Sequence, residues 1–155
     1  MATWKQFTKA APELSSRVLE RFDAHTHKTI ATLRKDGSPR ISGTETQIRD
    51  GELWIGSMQR ALKALDLQRD GRYALHSGSD DPPGWMGDAK VAGIAEEVTD
   101  PEVVSRLNGH GPAGPSHLFR LDVCEVSLVA LNDKGDNIVI QMWTEADGIR
   151  NIVRD

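Results

Sequence analysis

The segment ATLRKDGSPRISGTETQIRDGELWIGS, residues 31 to 57, decides the fold. It contains two Asp-Gly pairs, Asp36-Gly37 and Asp50-Gly51, each between stretches of extended character. Asp-Gly is a strong hairpin signal because both residues tolerate the positive φ that a tight turn between twisted strands requires. Thr29 to Arg34, Arg40 to Gln47 and Glu52 to Gly56 therefore read as three consecutive antiparallel strands. The connections are too short for the crossovers a parallel sheet needs.

Working outward, the periodicity predicts a helix over 11–24, opened by Pro12, with Leu14, Val18, Leu19 and Phe22 on one face. A second helix is expected over 58–69, with Met58, Ala61, Leu62 and Leu65 inward and Gly71 beyond its end. Arg72 to His76 and Lys90 to Val98 read as strands, and Asp100-Pro101 opens a short third helix. The Gly/Pro-rich segments Gly78 to Gly87 and Gly109 to Pro115 read as mobile loops bordering a substrate entrance. From Leu118 to Leu131 the apolar face passes from Phe119, Leu121 and Val123 to Val126, Leu128 and Ala130. That change of phase requires a bulge near Cys124-Glu125. A last strand is expected over Asn137 to Thr144. Six to seven short antiparallel strands with three short helices indicate one mainly β (α+β) domain, a small closed or nearly closed barrel that hides its edges.

With 155 residues, 38% hydrophobic and 27% charged, the chain is sized and composed for one globular core. A formal net charge of −4 speaks against general nucleic-acid binding, whose footprint is a clustered basic surface. No apolar run has the length of a membrane span, and the first residues lack the apolar core of a secretory signal, so a cytoplasmic protein is expected. The single cysteine, Cys124, cannot pair internally and is expected to be buried and reduced. The five histidines show no metal-ligand spacing, so no metal site is expected.

The segment Gly56-Ser57-Met58-Gln59-Arg60-Ala61-Leu62-Lys63 carries the chemistry. If Ser57 caps the helix, Arg60 and Lys63 place two cations near a helix N-terminus, where the dipole disfavours them. A bound phosphate would offset that cost. The competing reading of the pair is a solvated outer helix face. No nucleophile, acid or base constellation appears, so no catalytic side chain is assigned.

Three blocks together resemble the pyridoxamine 5′-phosphate oxidase-like split β-barrels: residues 31–40, residues 51–57 and Lys63-Ala64-Leu65-Asp66-Leu67-Gln68-Arg69-Asp70-Gly71-Arg72. Residues 87–96 resemble that family's next strand, and Trp143 followed by Gly148-Ile149-Arg150 its C-terminal segment. Gly71 stands where the family pattern has proline. The resemblance implies an FMN-binding split barrel and a homodimer with FMN or the deazaflavin coenzyme F-420 in a groove between subunits. By position, Ser42, Gly43 and Thr44 would line the ring, Ile55, Gly56 and Ser57 would approach the ribityl chain, and Arg60 and Lys63, with Arg40, would hold the phosphate. Gln141 and Trp143 would reach a cofactor across the interface, whose faces would bear Trp143 and Met142; the plainer reading of Trp143 is an interface or core aromatic. The implied activity is cofactor-borne hydride transfer to a small conjugated or heteroaromatic substrate. Pyridoxamine phosphate oxidation itself is not implied, since the longer oxidases carry further substrate-phosphate arginines. The alternative is a non-catalytic flavin- or haem-binding protein, for which His25 or His76 would supply the haem ligand.

Overall fold

The computed structural model describes residues 1–108 and 116–154; the expected Gly109 to Pro115 loop lies outside the described residues. Two helices, α1 (Trp4–Ala10) and α2 (Pro12–Asp23), precede strands β1 (His27–Leu33), β2 (Pro39–Arg49) and β3 (Glu52–Ser57). Helix α3 (Leu62–Arg69), β4 (Arg72–His76), β5 (Asp88–Glu97) and α4 (Pro101–Asn108) follow. Strands β6 (His117–Leu131), β7 (Ile138–Thr144) and β8 (Gly148–Arg154) complete the chain.

The strands form one antiparallel sheet in the order β3-β2-β1-β4-β5-β6-β7-β8, and an additional β3–β6 pairing closes the first six into a barrel. Strand β6 makes this possible through its length. Its first part, from His117 to Leu121, pairs with β3, whereas Glu125 to Leu131 leaves that seam and pairs with β7. The result is the expected split β-barrel, with β7 and β8 as an extension. The Asp50-Gly51 turn has positive φ at both residues, as a two-residue hairpin demands.

The phase change on β6 is a bulge. Ala92 faces Glu125 but Gly93 faces Val123, so Cys124 is the extra residue. Phe119, Leu121, Val123, Val126, Leu128 and Ala130 are all buried as read from the sequence. Cys124 is not: the bulge turns it and Glu125 outward together, and its thiol is exposed. Its expected burial followed from the apolar strand around it, where a thiol behaves as a small hydrophobe, although the bulge expected at the same place is what turns it out.

Helix α2 seals one side of the barrel with Leu14, Val18 and Phe22. Ahead of it α1 is an unanticipated helix, fixed by a capping box in which Thr3 accepts from the Gln6 N–H and the Gln6 side chain accepts from the Thr3 N–H. Trp4 and Phe7 of α1 are buried, and the Phe7 ring meets Trp143 at a centroid distance of 4.9 Å. Trp143 thus belongs to its own subunit's core. Helix α3 starts later than expected, because Arg60 adopts φ +60 and interrupts any helix begun at Met58. Its buried residues are Ala64, Asp66 and Leu67, while Leu62 and Leu65 face outward. No helix among the described residues is long and apolar enough to cross a membrane.

Candidate functional site

The barrel has a seam where β2 is paired on one side only. Residues 39 to 45 of β2 pair with β1, but pairing with β3 begins at Thr46. Beyond Ser57 the chain leaves β3 through the turn Met58-Gln59-Arg60 and enters α3. Lys63, in the first turn of α3, donates its ammonium to the Gly43 carbonyl at 2.7 Å. The Gly43 backbone therefore points away from β1, and alternation along an antiparallel strand sends that of Ile41 the same way. Nothing stands within 4 Å of where a Gly43 side chain would begin, so the strand presents a flat, open surface there.

Lys63 is half-buried, and burial alone pushes its ammonium below the ordinary lysine range. Among the described residues no carboxylate forms a salt bridge with it. Its single hydrogen-bond partner there is a neutral carbonyl. A desolvated cation without a counter-charge favours an anion at that position.

Arg40 is placed differently. Its Nε donates to Asp66 Oδ2 at 2.7 Å, the Thr32 hydroxyl donates to the same oxygen at 2.8 Å, and Arg69 donates to Asp66 Oδ1 at 3.0 Å. Asp66 is a buried carboxylate joining α3 to β1 and β2. Burial alone would raise its pKa, but the Arg40, Arg69 and Thr32 hydrogen bonds outweigh it and hold the carboxyl below the usual aspartate range. A depressed folded-state pKa gives stability that is complete above the unfolded value, about 3.9, and is lost as pH falls through the folded value. Denaturant unfolding should therefore show stability falling below about pH 4, and Asp66→Asn should flatten that acid limb.

The other expected site residues divide by strand alternation. Ser42 and Thr44 share the face of Ile30, which is in the core, whereas Gly43 faces out. Ile55 is fully buried and Ser57 nearly so. Ser57 does not cap α3: the N-cap position is Ala61, which makes no side-chain cap. Gly56 is covered by the Asn108 side chain, whose Oδ1 would lie 2.7 Å from an added Cβ. Arg60 sits in the turn ahead of the helix rather than on its face, so the expected two-cation helix face reduces to Lys63. Gln141 accepts from Arg17 at 2.7 Å and donates to Asn151 at 3.1 Å. Trp143 is 3% exposed and packs in the core of its own chain. The histidines considered as haem ligands have local partners: His25 contacts Asp80 at 3.1 Å, and His76 lies against the Ser77 carbonyl at 2.5 Å.

A residue pair separated by 20 positions escaped the sequence reading. His117 Nδ1 lies 2.6 Å from Glu97 Oε1, and His117 Nε2 accepts the Arg60 backbone N–H at 3.3 Å. Gln68 of α3 donates to the other Glu97 oxygen at 2.7 Å. These contacts hold the turn that leads to Lys63. Among the described residues, a surface cavity of about 300 Å³ is walled by Trp4, Phe22 and Asp23 and another of about 370 Å³ by Arg17, Trp85 and Met86. Neither is lined by Gly43 or Lys63.

This fold, with its one-sided β2 segment, is a split β-barrel, and solved structures share it. No protein-family model and no curated protein matches the chain. A pyridoxamine 5′-phosphate oxidase-related, FMN-binding protein from Nostoc punctiforme superposes with a TM-score of 0.63 at 13% identity, covering 90% of this chain and 94% of that one. PhzG from Burkholderia lata, solved with tetrahydrophenazine-1-carboxylic acid, gives 0.63 at 12% identity over 97% and 92% of the two chains. ChuZ from Campylobacter jejuni gives 0.69 at 10% identity over 91% and 63%. The fold implied by the sequence resemblance is the fold observed.

Proposed function

We propose that this protein binds a phosphate-bearing flavin-type cofactor, FMN or F-420, along the open edge of β2, and uses it in oxidoreduction of a small conjugated or heteroaromatic substrate. The observation that carries this reading is Lys63, a desolvated ammonium at the open edge beside a bare glycine surface. The fold shared with an FMN-binding protein supports it. Lys63 would hold the phosphate, with Arg60 alongside. Arg40, fixed through Nε by Asp66, would turn the outer end of its guanidinium to the same groove. Gly43 would give the ring a flat strand to lie on. When bound, the cofactor supplies hydride transfer; the chain's part is to orient it and exclude water.

The open edge would be enclosed by a second copy of the chain, since ligand sites favour junctions between packed units. Ile41 of β2 and Leu62 and Leu65 of α3, the two elements that the Lys63 to Gly43 contact joins, are exposed, as is Met58 in the turn between β3 and α3, Ile41 by 76% and Met58 by 81%. We therefore place the homodimer interface on β2 and α3 rather than on the faces of Met142 and Trp143. Ile41→Asp should shift light-scattering mass from dimer to monomer; an unchanged dimer would move the interface elsewhere. Absorbance of the purified protein, followed by titration with FMN and F-420, tests the cofactor reading. Flavin bands with turnover support an oxidoreductase. Flavin bands without turnover of any conjugated acceptor favour a binding protein, and a colourless protein that takes up neither cofactor rejects the reading.

A further inference from the structure

Resting on that reading, we infer that His117 is the proton-linked member of the phosphate site: cofactor binding takes up one proton onto its Nε2, and Glu97 holds the ring for it. The free protein fixes the starting state. A backbone N–H can only donate, so Arg60 N–H makes His117 Nε2 an acceptor, and the ring's proton is on Nδ1, pointing at Glu97 2.6 Å away. His117 is thus a neutral imidazole whose lone pair faces the turn before Lys63.

An anion at that turn competes for the same N–H. A phosphate oxygen that accepts from Arg60 leaves the Nε2 lone pair directed at negative charge, an arrangement that repels. Protonation of Nε2 turns the lone pair into a donor to the phosphate, and Nδ1–H keeps its bond to Glu97. The proton comes from solvent, and no other bond is made or broken. Glu97 suits the role: burial alone would raise its pKa, but the His117 and Gln68 hydrogen bonds outweigh burial and keep the carboxyl below its ordinary range, ready to stabilise an imidazolium. Both Glu97 oxygens are used, one by His117 and one by Gln68, so the carboxylate cannot swing away.

The charged side chain in contact with the His117 ring among the described residues is Glu97 from β5; the turn meets the ring through the Arg60 backbone N–H. Gln68 from α3 and Phe119, stacked at 6.3 Å on the same strand, are neutral. Asn108 of α4 donates to the Ser116 hydroxyl and to the His117 carbonyl rather than to the ring. The imidazole is therefore the group in this cluster positioned to change charge when a dianion arrives.

The test is calorimetric titration of the whole protein with FMN, and with F-420 as second probe, at pH 7.5 to 8 in buffers of different ionisation enthalpy. The wild type should take up close to one proton per cofactor bound, and its Kd should rise by up to tenfold per pH unit. His117→Gln, which keeps a hydrogen-bonding group on β6, should bind with near-zero uptake and a flat pH profile. Glu97→Gln should show reduced uptake with the fold and riboflavin affinity retained, a split that a merely structural role for the pair would not give. Riboflavin, lacking phosphate, should bind without uptake. Equal uptake in wild type and His117→Gln, or none in either, overturns the inference and leaves the cofactor reading standing. Failure of the wild type to bind both probes overturns the two together.

Discussion

Gly93→Val should destabilise the fold by more than about 3 kcal/mol, near the upper end for a single overpacking change. A Cβ on Gly93 would stand 1.8 Å from the Asp122 carbonyl oxygen and 3.1 Å from the Cys124 backbone nitrogen. Both atoms are backbone, so no rotamer change relieves the contact. They are close because the bulge at Cys124 folds β6 toward β5 where the pairing steps from Glu125 to Val123. That bend lets β6 serve two partners, closing the barrel with β3 and then running out to β7. Losing it would disturb the closure itself. Urea denaturation measures the effect, with Gly43→Ala as comparison, since Gly43 has open space at its Cβ position and should change stability by less than about 0.5 kcal/mol. Similar midpoints for the two variants would show that the bulge is not tightly packed.

The same bulge shows what a sequence conveys and what it hides. The change of inward residues from Val123 to Val126 was readable because burial on a strand alternates strictly, so a skipped beat has one local cause. The hairpins were readable from their Asp-Gly turns for a similar reason. Helix α1 was less visible, at 7 residues too short for periodicity to declare itself; its signal was the Thr3 to Gln6 capping box. Strand β8 has Arg150, Asn151 and Arg154 among its apolar residues and is exposed along nearly its whole length, so no buried face marks it.

At the candidate site, Lys63 drew attention from the sequence as a cation near a helix N-terminus behind a strand-ending glycine and a cap residue. Its partner was not legible, since the Gly43 carbonyl carries no side-chain signature. The start of α3 misled because nothing in an arginine announces the left-handed conformation that Arg60 adopts. Trp143 was given to a cofactor only through the family resemblance; its packing on Phe7 of α1 fits the plainer reading of a core aromatic, and Phe7 lies on the helix the periodicity missed. The His117 to Glu97 pair joins two strand ends, and only the β5–β6 register brings them together.

Lys63→Ala should weaken binding of the phosphorylated cofactor by about one to two decades, the loss of a charge-assisted contact worth roughly 1.5–3 kcal/mol. In the free protein Lys63 bears a burial cost with, among the described residues, only the Gly43 carbonyl in return. Removing the ammonium should leave the fold's stability nearly unchanged, because the carbonyl it releases lies on an open strand edge where water replaces the bond. Lys63→Met, which keeps the apolar stem, should lose affinity to the same degree, showing that charge rather than packing is responsible. Arg60→Ala should cost less, as Arg60 is exposed in the turn and its backbone N–H survives the substitution.

The most direct test of a phosphate-bearing flavin at this edge is a fluorescence titration of wild type and Lys63→Ala with FMN, F-420 and riboflavin. The structure predicts a Kd for the phosphorylated cofactor raised about 10- to 100-fold in the variant and an unchanged Kd for riboflavin. Equal affinities of wild type and variant for every form would contradict it and return Lys63 to the protein surface.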